Sequence, residues 1–429
     1  MSEQLLHQSV SKFNILPLTS RCGVGCVFCS HRYNPPGVRA VFFGELPVDK
    51  VQELMVFLDG NKKIYIGESA TLLCEGEPLL HPHFDEILVE LRRQLPRTPI
   101  QLTTNAVKLA AYLDALAAAR PLELVVSLNS ANPRMRRELM GAHGAEAALG
   151  AVARLQKLEL PWHASLVLMP HITGWQDVEN SIAFACEHGA TSVRLLLPGF
   201  SKLASVDWAA IEAIPRAVRE RLSDWRQKFP LPLTMEPPLL NDLIPRVAGV
   251  LPNSPAAGAL RPDDVVETIN GQAPWSRVDA FNKLFGLEKP LLRVRRQQRT
   301  IELTLNKQAR SPSGVVMDRD LDPGDMERAR ALAAGAGRVL LLTSTWAAPL
   351  WEQVVPAAWQ VKPVPSWFFG GTIAAAGLLT ASDYLAVLEE CDLAGVERIL
   401  LPPVSFDQSG RDLRGELVPD LGQRISFSL

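Results

Sequence analysis

Residues 20–31 read SRCGVGCVFCSH, which places Cys22, Cys26 and Cys29 in the spacing C-x3-C-x2-C. Three thiolates held this close together can converge on one face of a single loop. Soft donors of this kind select a thiophilic metal centre over magnesium or calcium. A structural zinc ion takes four closed protein ligands, and no fourth Cys or His sits nearby at finger-like spacing. An iron–sulfur cubane normally takes four cysteines too. Three would leave one iron open, free to be chelated by a small molecule bearing an amine and a carboxylate. A partial zinc site, or a chance grouping of cysteines, is the other reading of the same triplet.

The chain has 429 residues, of which 47% are hydrophobic and 21% charged, so it is globular and long enough for two or three domains. A net charge of −2 lacks the basic excess of a phosphate-dominated interface, and no nucleic-acid partner is expected. The densest basic run, Arg134-Met135-Arg136-Arg137, reads as the solvated start of a helix. Six cysteines in a chain of this length form no disulfide framework. Cys74, Cys186 and Cys391 are scattered singly, with no second cluster. The opening MSEQLLHQSVSKF has no apolar signal core. The longest apolar stretch, Gly371 to Leu379, is too short to span a bilayer. A cytoplasmic, reducing location without membrane association is the expectation.

After Cys29, apolar runs alternate with amphipathic ones. Expected strands are Asn14–Leu18, Ala70–Cys74, Ile100–Thr104, Leu122–Leu128, His163–Leu168 and Ser192–Leu197. Expected helices are Val48–Leu58, Phe84–Leu95, Val107–Ala119, Ala145–Leu158 and Trp175–His188. A strand followed by a helix about every thirty residues is the pattern of a parallel sheet. In such barrels chemistry gathers where strands hand over to loops at their C-terminal ends.

The segment Cys22-x3-Cys26-x-Phe28-Cys29, with an aromatic residue before its last cysteine, resembles the signature of the radical S-adenosylmethionine (radical SAM) enzymes. Residues 74–82, CEGEPLLHP, are similar to that family's GGEP motif, with Glu75 where a small residue is usual. The resemblance implies a partial (β/α)6 TIM-type barrel holding a [4Fe–4S] cluster on Cys22, Cys26 and Cys29. It also implies reductive cleavage of S-adenosylmethionine to a 5′-deoxyadenosyl radical, and an electron donor such as a flavodoxin or ferredoxin. By the same resemblance Gly76, Glu77 and Pro78 line the methionine end of the cofactor. Thr104 and Asn105, in LTTNA, and Ser127 and Asn129, in VVSLNSANP, shape the rest, while Phe28 belongs to the cluster loop. No second catalytic residue stands out. Cys74 precedes the GEP segment but reads as a buried inert thiol, and His81 and His83 read as turn residues.

A Pro-rich connector, PLPLTMEPPLL, closes the barrel region near residue 234. Residues 247–272, VAGVLPNSPAAGALRPDDVVETINGQ, resemble a bacterial PDZ module, placed at 235–308. Asn270-Gly271 is a hairpin turn on physical grounds alone. Val278 to Phe285 would be the helix lining its groove. PDZ modules capture extended peptides by strand addition, which makes a peptide a possible partner. Residues 309–429 form an α/β C-terminal domain, and FFGGTIAAAGLLTASD with ILLPP resembles the domain of unknown function numbered 512. The rival readings are a radical SAM enzyme acting on a peptide or protein, and a non-catalytic iron–sulfur protein that senses redox state.

Overall fold

The strand–helix alternation of the first two hundred residues folds into a parallel sheet. The computed structural model describes residues 2–418 and 425–427, and the chain divides into two units. The first comprises the chain up to Cys29, Ala40–Leu197 and Phe229–Leu231. Its strands are β1 (Ile64–Ile66), β2 (Ile100–Thr104), β3 (Leu122–Ser127), β4 (Trp162–Val167) and β5 (Ser192–Leu196). Each pairs in parallel with the next. Ile15 adds a parallel bridge to Tyr65 beside β1, and the Leu16 N–H donates to the Tyr65 carbonyl at 2.9 Å. Counting that segment, six parallel stretches follow in chain order, which fits a partial TIM barrel.

Helices α1 (Ser2–Phe13), α2 (Val48–Met55), α3 (Phe84–Gln94), α4 (Leu109–Ala118), α5 (Pro133–Met140), α6 (Ala145–Val152), α7 (Pro170–Thr173) and α8 (Trp175–Glu187) complete this unit. Each longer helix buries one stripe; on α3 the stripe is Phe84, Ile87, Leu88 and Leu91, the spacing of a single helical face. Helix α5 starts where the Asn132 side chain accepts from the Arg134 and Met135 N–H groups, with Pro133 at its first turn. It stops at Gly141, whose φ of 59° is left-handed.

Two expected strands are corrected. Asn14–Leu18 reduces to the bridge at Ile15. Ala70–Cys74 makes no strand: only Leu73 bridges, to Val41, and the Cys74 N–H donates to the Val41 carbonyl. The strand lies earlier, at Ile64–Ile66, because that run pairs with Ile100–Leu102. It ends at Gly67, whose φ of +78° turns the chain while a Cβ there would lie 2.6 Å from the Thr103 carbonyl.

The second unit holds Ser30–Arg39, Pro198–Lys228 and Pro232–Leu429. Helix α9 (Trp208–Lys228) is followed by strands β6 (Leu233–Glu236) and β7 (Gly249–Val250). An antiparallel sheet then forms from β8 (Val265–Ile269), β9 (Leu291–Arg296) and β10 (Arg299–Thr304), with helix α10 (Arg277–Gly286) between its first two strands. Strand β11 (Val315–Val316) returns to pair with β7, and one apolar core runs from Val247 to Val315. A four-stranded parallel sheet follows, in the order β13 (Trp359–Val364), β12 (Val339–Ser344), β14 (Arg398–Leu401), β15 (Ile425–Phe427). Helix α11 (Pro323–Leu332) and the short α12 (Ala348–Trp351) contribute to the core on one face, and α13 (Ala381–Glu389) to that on the other. Residues 419–424 and 428–429 of the expected C-terminal domain lie outside the described residues. No helix among the described residues is long and apolar enough to cross a membrane.

Arg226 on α9 forms a buried two-pronged ion pair with Asp318, at 2.8 and 2.7 Å, and donates to the Leu233 carbonyl at 3.0 Å. Asp318→Ala would strand the guanidinium, and the expected loss is roughly 3–5 kcal/mol. The measurement is the urea midpoint of the full chain; an unchanged midpoint would remove this pair from the account of how α9 is held.

Candidate cofactor site

The cysteine loop is fixed at both shoulders by backbone hydrogen bonds. On one side, the Gly76 N–H donates to the Thr19 carbonyl at 2.7 Å and the Glu77 N–H to the Arg21 carbonyl at 2.8 Å. Only glycine fits at 76, since a Cβ there would lie 2.2 Å from the Arg21 carbonyl oxygen. On the other side, the Gly25 and Val27 N–H groups donate to the Met140 and Leu139 carbonyls at 2.8 and 2.9 Å, at the C-terminal end of α5. Between these anchors Cys22 is exposed, and Cys26, Phe28 and Cys29 are half-buried. Burial, followed by the charges of Cys22 and Cys29, pushes the Cys26 thiol up to about 12. Desolvation around its sulfur also raises the Cys22 thiol, although the residue as a whole is exposed, opposed by hydrogen bonds from the Val24 backbone and then the Asn105 side chain.

Behind the loop lies a buried polar cage. Glu77, 3% exposed, accepts from the Thr104 hydroxyl at 2.7 Å, the Asn105 N–H at 2.6 Å and the Leu79 N–H at 3.2 Å. Burial pushes its carboxyl up to about 7 against these hydrogen bonds. Glu77 thus clamps the GEP turn to the end of β2. Arg136, 1% exposed, donates to the Asn105 carbonyl at 2.5 Å, to the Ser127 carbonyl at 2.9 Å and to the Leu128 carbonyl. Burial lowers its guanidinium to about 10. Arg136 therefore ties the ends of β2 and β3 together.

This corrects the reading of residues 134–137 as a solvated run: Arg134 and Arg137 pair with Glu138 and Glu146 at the surface, but Arg136 is internal. The available signal was helical spacing, because Arg136 shares a face with Leu139 and Met140, both buried. Asn129 has φ 56°, accepts from the Val167 N–H at 2.9 Å and so straps β3 to β4. Ser127 offers its carbonyl to Arg136, and its side chain is half-buried. Pro78 is buried at the start of the Pro78–Leu80 turn. His81 spends both ring nitrogens on the Leu46 carbonyl and the His83 N–H. Cys74 is buried, with its thiol raised by burial. Glu75 holds a buried carboxyl pushed well above the usual range by burial, its Oε1 without a partner among the described residues.

Among the described residues, no group of three or more His, Cys, Asp or Glu side chains is gathered closely enough to hold a metal ion as the side chains stand. The donor chemistry and the scaffold nevertheless fit a cluster. Three soft sulfurs lie on a loop whose backbone is anchored, each within electrostatic reach of the others, and Gly76 lets the Ser20–Arg21 backbone that leads into the loop pack directly against the GEP turn.

A parallel barrel carrying a three-cysteine loop at the end of its first extended segment defines the class, and comparison with known proteins agrees. Residues 16–185 match the model of the radical SAM superfamily, and this part of the chain is a radical SAM domain. That family uses a [4Fe–4S] cluster and S-adenosylmethionine. The chain is 32% identical over 125 residues to the GTP 3′,8-cyclase of Aquifex aeolicus, covering 29% of this chain and 37% of that protein. It is 30% identical over 173 residues to GTP 3′,8-cyclase 2 of Mycobacterium bovis, covering 40% and 46%. It therefore spans less than half the length of these relatives. Among solved structures it is similar to SuiB of Streptococcus suis, at a TM-score of 0.39 and 14% identity, over 55% of this chain and 53% of that one.

The buried arginine separates from its neighbours by substitution. Arg136→Lys keeps the charge but replaces a planar fork with a single ammonium facing three carbonyls. The expected destabilisation is roughly 1–3 kcal/mol, the penalty for an unmet buried acceptor, while Arg134→Lys and Arg137→Lys leave the unfolding midpoint unmoved. Equal effects at all three positions would restore the solvated-run reading.

Proposed function

We propose that the chain is a radical SAM enzyme in which Cys22, Cys26 and Cys29 ligate a [4Fe–4S] cluster and S-adenosylmethionine takes the open iron. When bound, the cluster supplies an electron that splits the sulfonium into methionine and a 5′-deoxyadenosyl radical, which abstracts hydrogen from the substrate. The observation that carries this reading is the seam joining Thr19–Arg21 to Gly76–Glu77, which sets an anchored thiol loop beside a glycine that tolerates no side chain. In this reading Gly76 to Pro78 form the methionine end of the pocket. The Glu77 carboxylate is committed to Thr104 and Asn105. Its part is therefore to hold the walls in place, and backbone acceptors beside it meet the cofactor ammonium. Thr104, Asn105, Ser127 and Asn129 stand at the strand ends that shape the remainder. An external one-electron donor, of the flavodoxin or ferredoxin class, completes the system.

The curated relatives are matched over less than half their length, so no substrate is carried across from them. A peptide substrate recruited by a PDZ-like module is the second reading. It is favoured by the element order strand, strand, helix, strand pair and closing strand around one core, and by Phe281 and Phe285, exposed one turn apart on α10. The region beyond β11 is read as resembling the domain of unknown function numbered 512.

Anaerobic reconstitution with iron and sulfide, followed by dithionite and S-adenosylmethionine, should yield 5′-deoxyadenosine. The variant Cys22→Ser/Cys26→Ser/Cys29→Ser should lose both iron and product. Zinc in place of iron would sink both the enzyme reading and the redox sensor; no cleavage by fully loaded protein would sink the enzyme reading and leave the sensor. Stimulation of cleavage by peptide would favour the second substrate reading. Gly76→Ala should keep its iron yet lose cleavage by roughly 10²-fold, the effect of about 1 Å of misplacement at a reacting centre; undiminished turnover would show that the seam does not position the cofactor.

A further inference from the structure

The C-terminal sheet contains a site of its own. Strand β12 lies between β13 and β14, parallel to both. The chain leaves β12 for β13 on one side and then crosses to β14 on the other, so the strand order reverses between β12 and β14. In open parallel sheets, the connections diverge at such a reversal and leave a crevice at the carboxyl ends of the two strands, where ligands bind. A cavity of about 250 Å³ lies there. Thr343 and Leu401, near the ends of the two strands, form its floor with the residues that follow, Ala347 and Trp351 after β12 and Pro403 after β14; Asp325 of α11 completes the wall.

The lining states what the cavity can hold. Apart from Thr343 and Asp325 the lining is aliphatic, proline or tryptophan, with no Lys, Arg or His among the described residues. A phosphate or carboxylate would face the Asp325 carboxylate, and the neighbouring Arg328 guanidinium is already paired with that group, so anionic ligands are disfavoured. An engineered apolar cavity of about 150 Å³ accommodates benzene, and this one has room for a larger ring system with a short tail. Trp351 offers a ring for stacking. Thr343, 3% exposed, supplies a hydroxyl at the strand end. Asp325, half-exposed, is paired with Arg328 through Oδ1 and offers Oδ2 to an ammonium.

We propose that this crevice binds a small aromatic amine, with the ring against Trp351, the polar edge at Thr343 and the ammonium towards Asp325. Its lining shares no residue with the proposed cofactor site, and the inference does not depend on the radical SAM reading.

Full-length protein carrying 5-fluorotryptophan reports on it directly, because the fluorine resonance missing from Trp351→Phe belongs to the site. Tryptamine is expected to shift that resonance saturably, and AMP to leave it in place. Thr343→Val, which keeps the shape, should weaken tryptamine roughly threefold to tenfold, the loss of one hydrogen bond. Ala347→Leu, which fills the cavity, should weaken it at least about tenfold, with the remaining fluorine resonances confirming that the fold is retained. No saturable shift with tryptamine, a shift with AMP of equal affinity, or unaltered tryptamine affinity in both Thr343→Val and Ala347→Leu would overturn the assignment.

Discussion

The proposed cofactor site depends on two buried ionisable groups, the Glu77 carboxyl turned onto the end of β2 and the Arg136 guanidinium turned onto the ends of both β2 and β3. Neither group is tolerable in a barrel interior without partners. Their hydrogen bonds can be satisfied only if the GEP turn, Thr104–Asn105 and Ser127–Leu128 stand in one relative position. That requirement fixes the strand ends. The cysteine loop then inherits its place, because its two shoulders bond to Gly76–Glu77 and to the end of the helix that bears Arg136. A loop that would otherwise be free to wander is located by groups that never leave the interior.

Much of this was legible in the chain and some of it was not. The expected strands Ile100–Thr104, Leu122–Leu128, His163–Leu168 and Ser192–Leu197 fall within a residue of the observed ones, because each is a segment of strand length with buried apolar positions, set between helical segments. Ile64–Ile66 did not, because three residues carry too little periodicity against the two lysines before them, and the more apolar segment at Ala70–Cys74 drew attention away. The cysteine spacing and the GEP turn were readable as chemistry, since both are local in sequence. The role of Glu77 as a clamp was not, because its partners lie in a strand nearly thirty residues further on. Arg136 was hidden by its neighbours: a basic run looks solvated until the helical face is counted, and only then does one of its three arginines fall on the same side as Leu139 and Met140. Asn129 was legible as a special position but not as a strap, since its left-handed backbone and its bond to Val167 exist only once β3 and β4 lie side by side.

The middle of the second unit shows the same division. Its turn and helix follow from local sequence, and the observed helix, Arg277–Gly286, extends one residue beyond the expected Val278–Phe285 at each end. The return of Val315–Val316 to pair with Gly249–Val250 joins segments far apart in the chain, and no local pattern announces it.

Strand β12 is sealed at all six of its positions, from Val339 to Ser344. Diversification of this domain is channelled accordingly. Residues inside the strand are constrained by neighbours on both faces, so drift there is penalised whatever the protein does. The connecting turns beyond the strand tips face no such constraint, and they can be rewritten without disturbing the sheet. Descendants of this chain could therefore acquire new preferences while keeping an almost unaltered central ribbon, and differences among them would concentrate in a handful of turn residues.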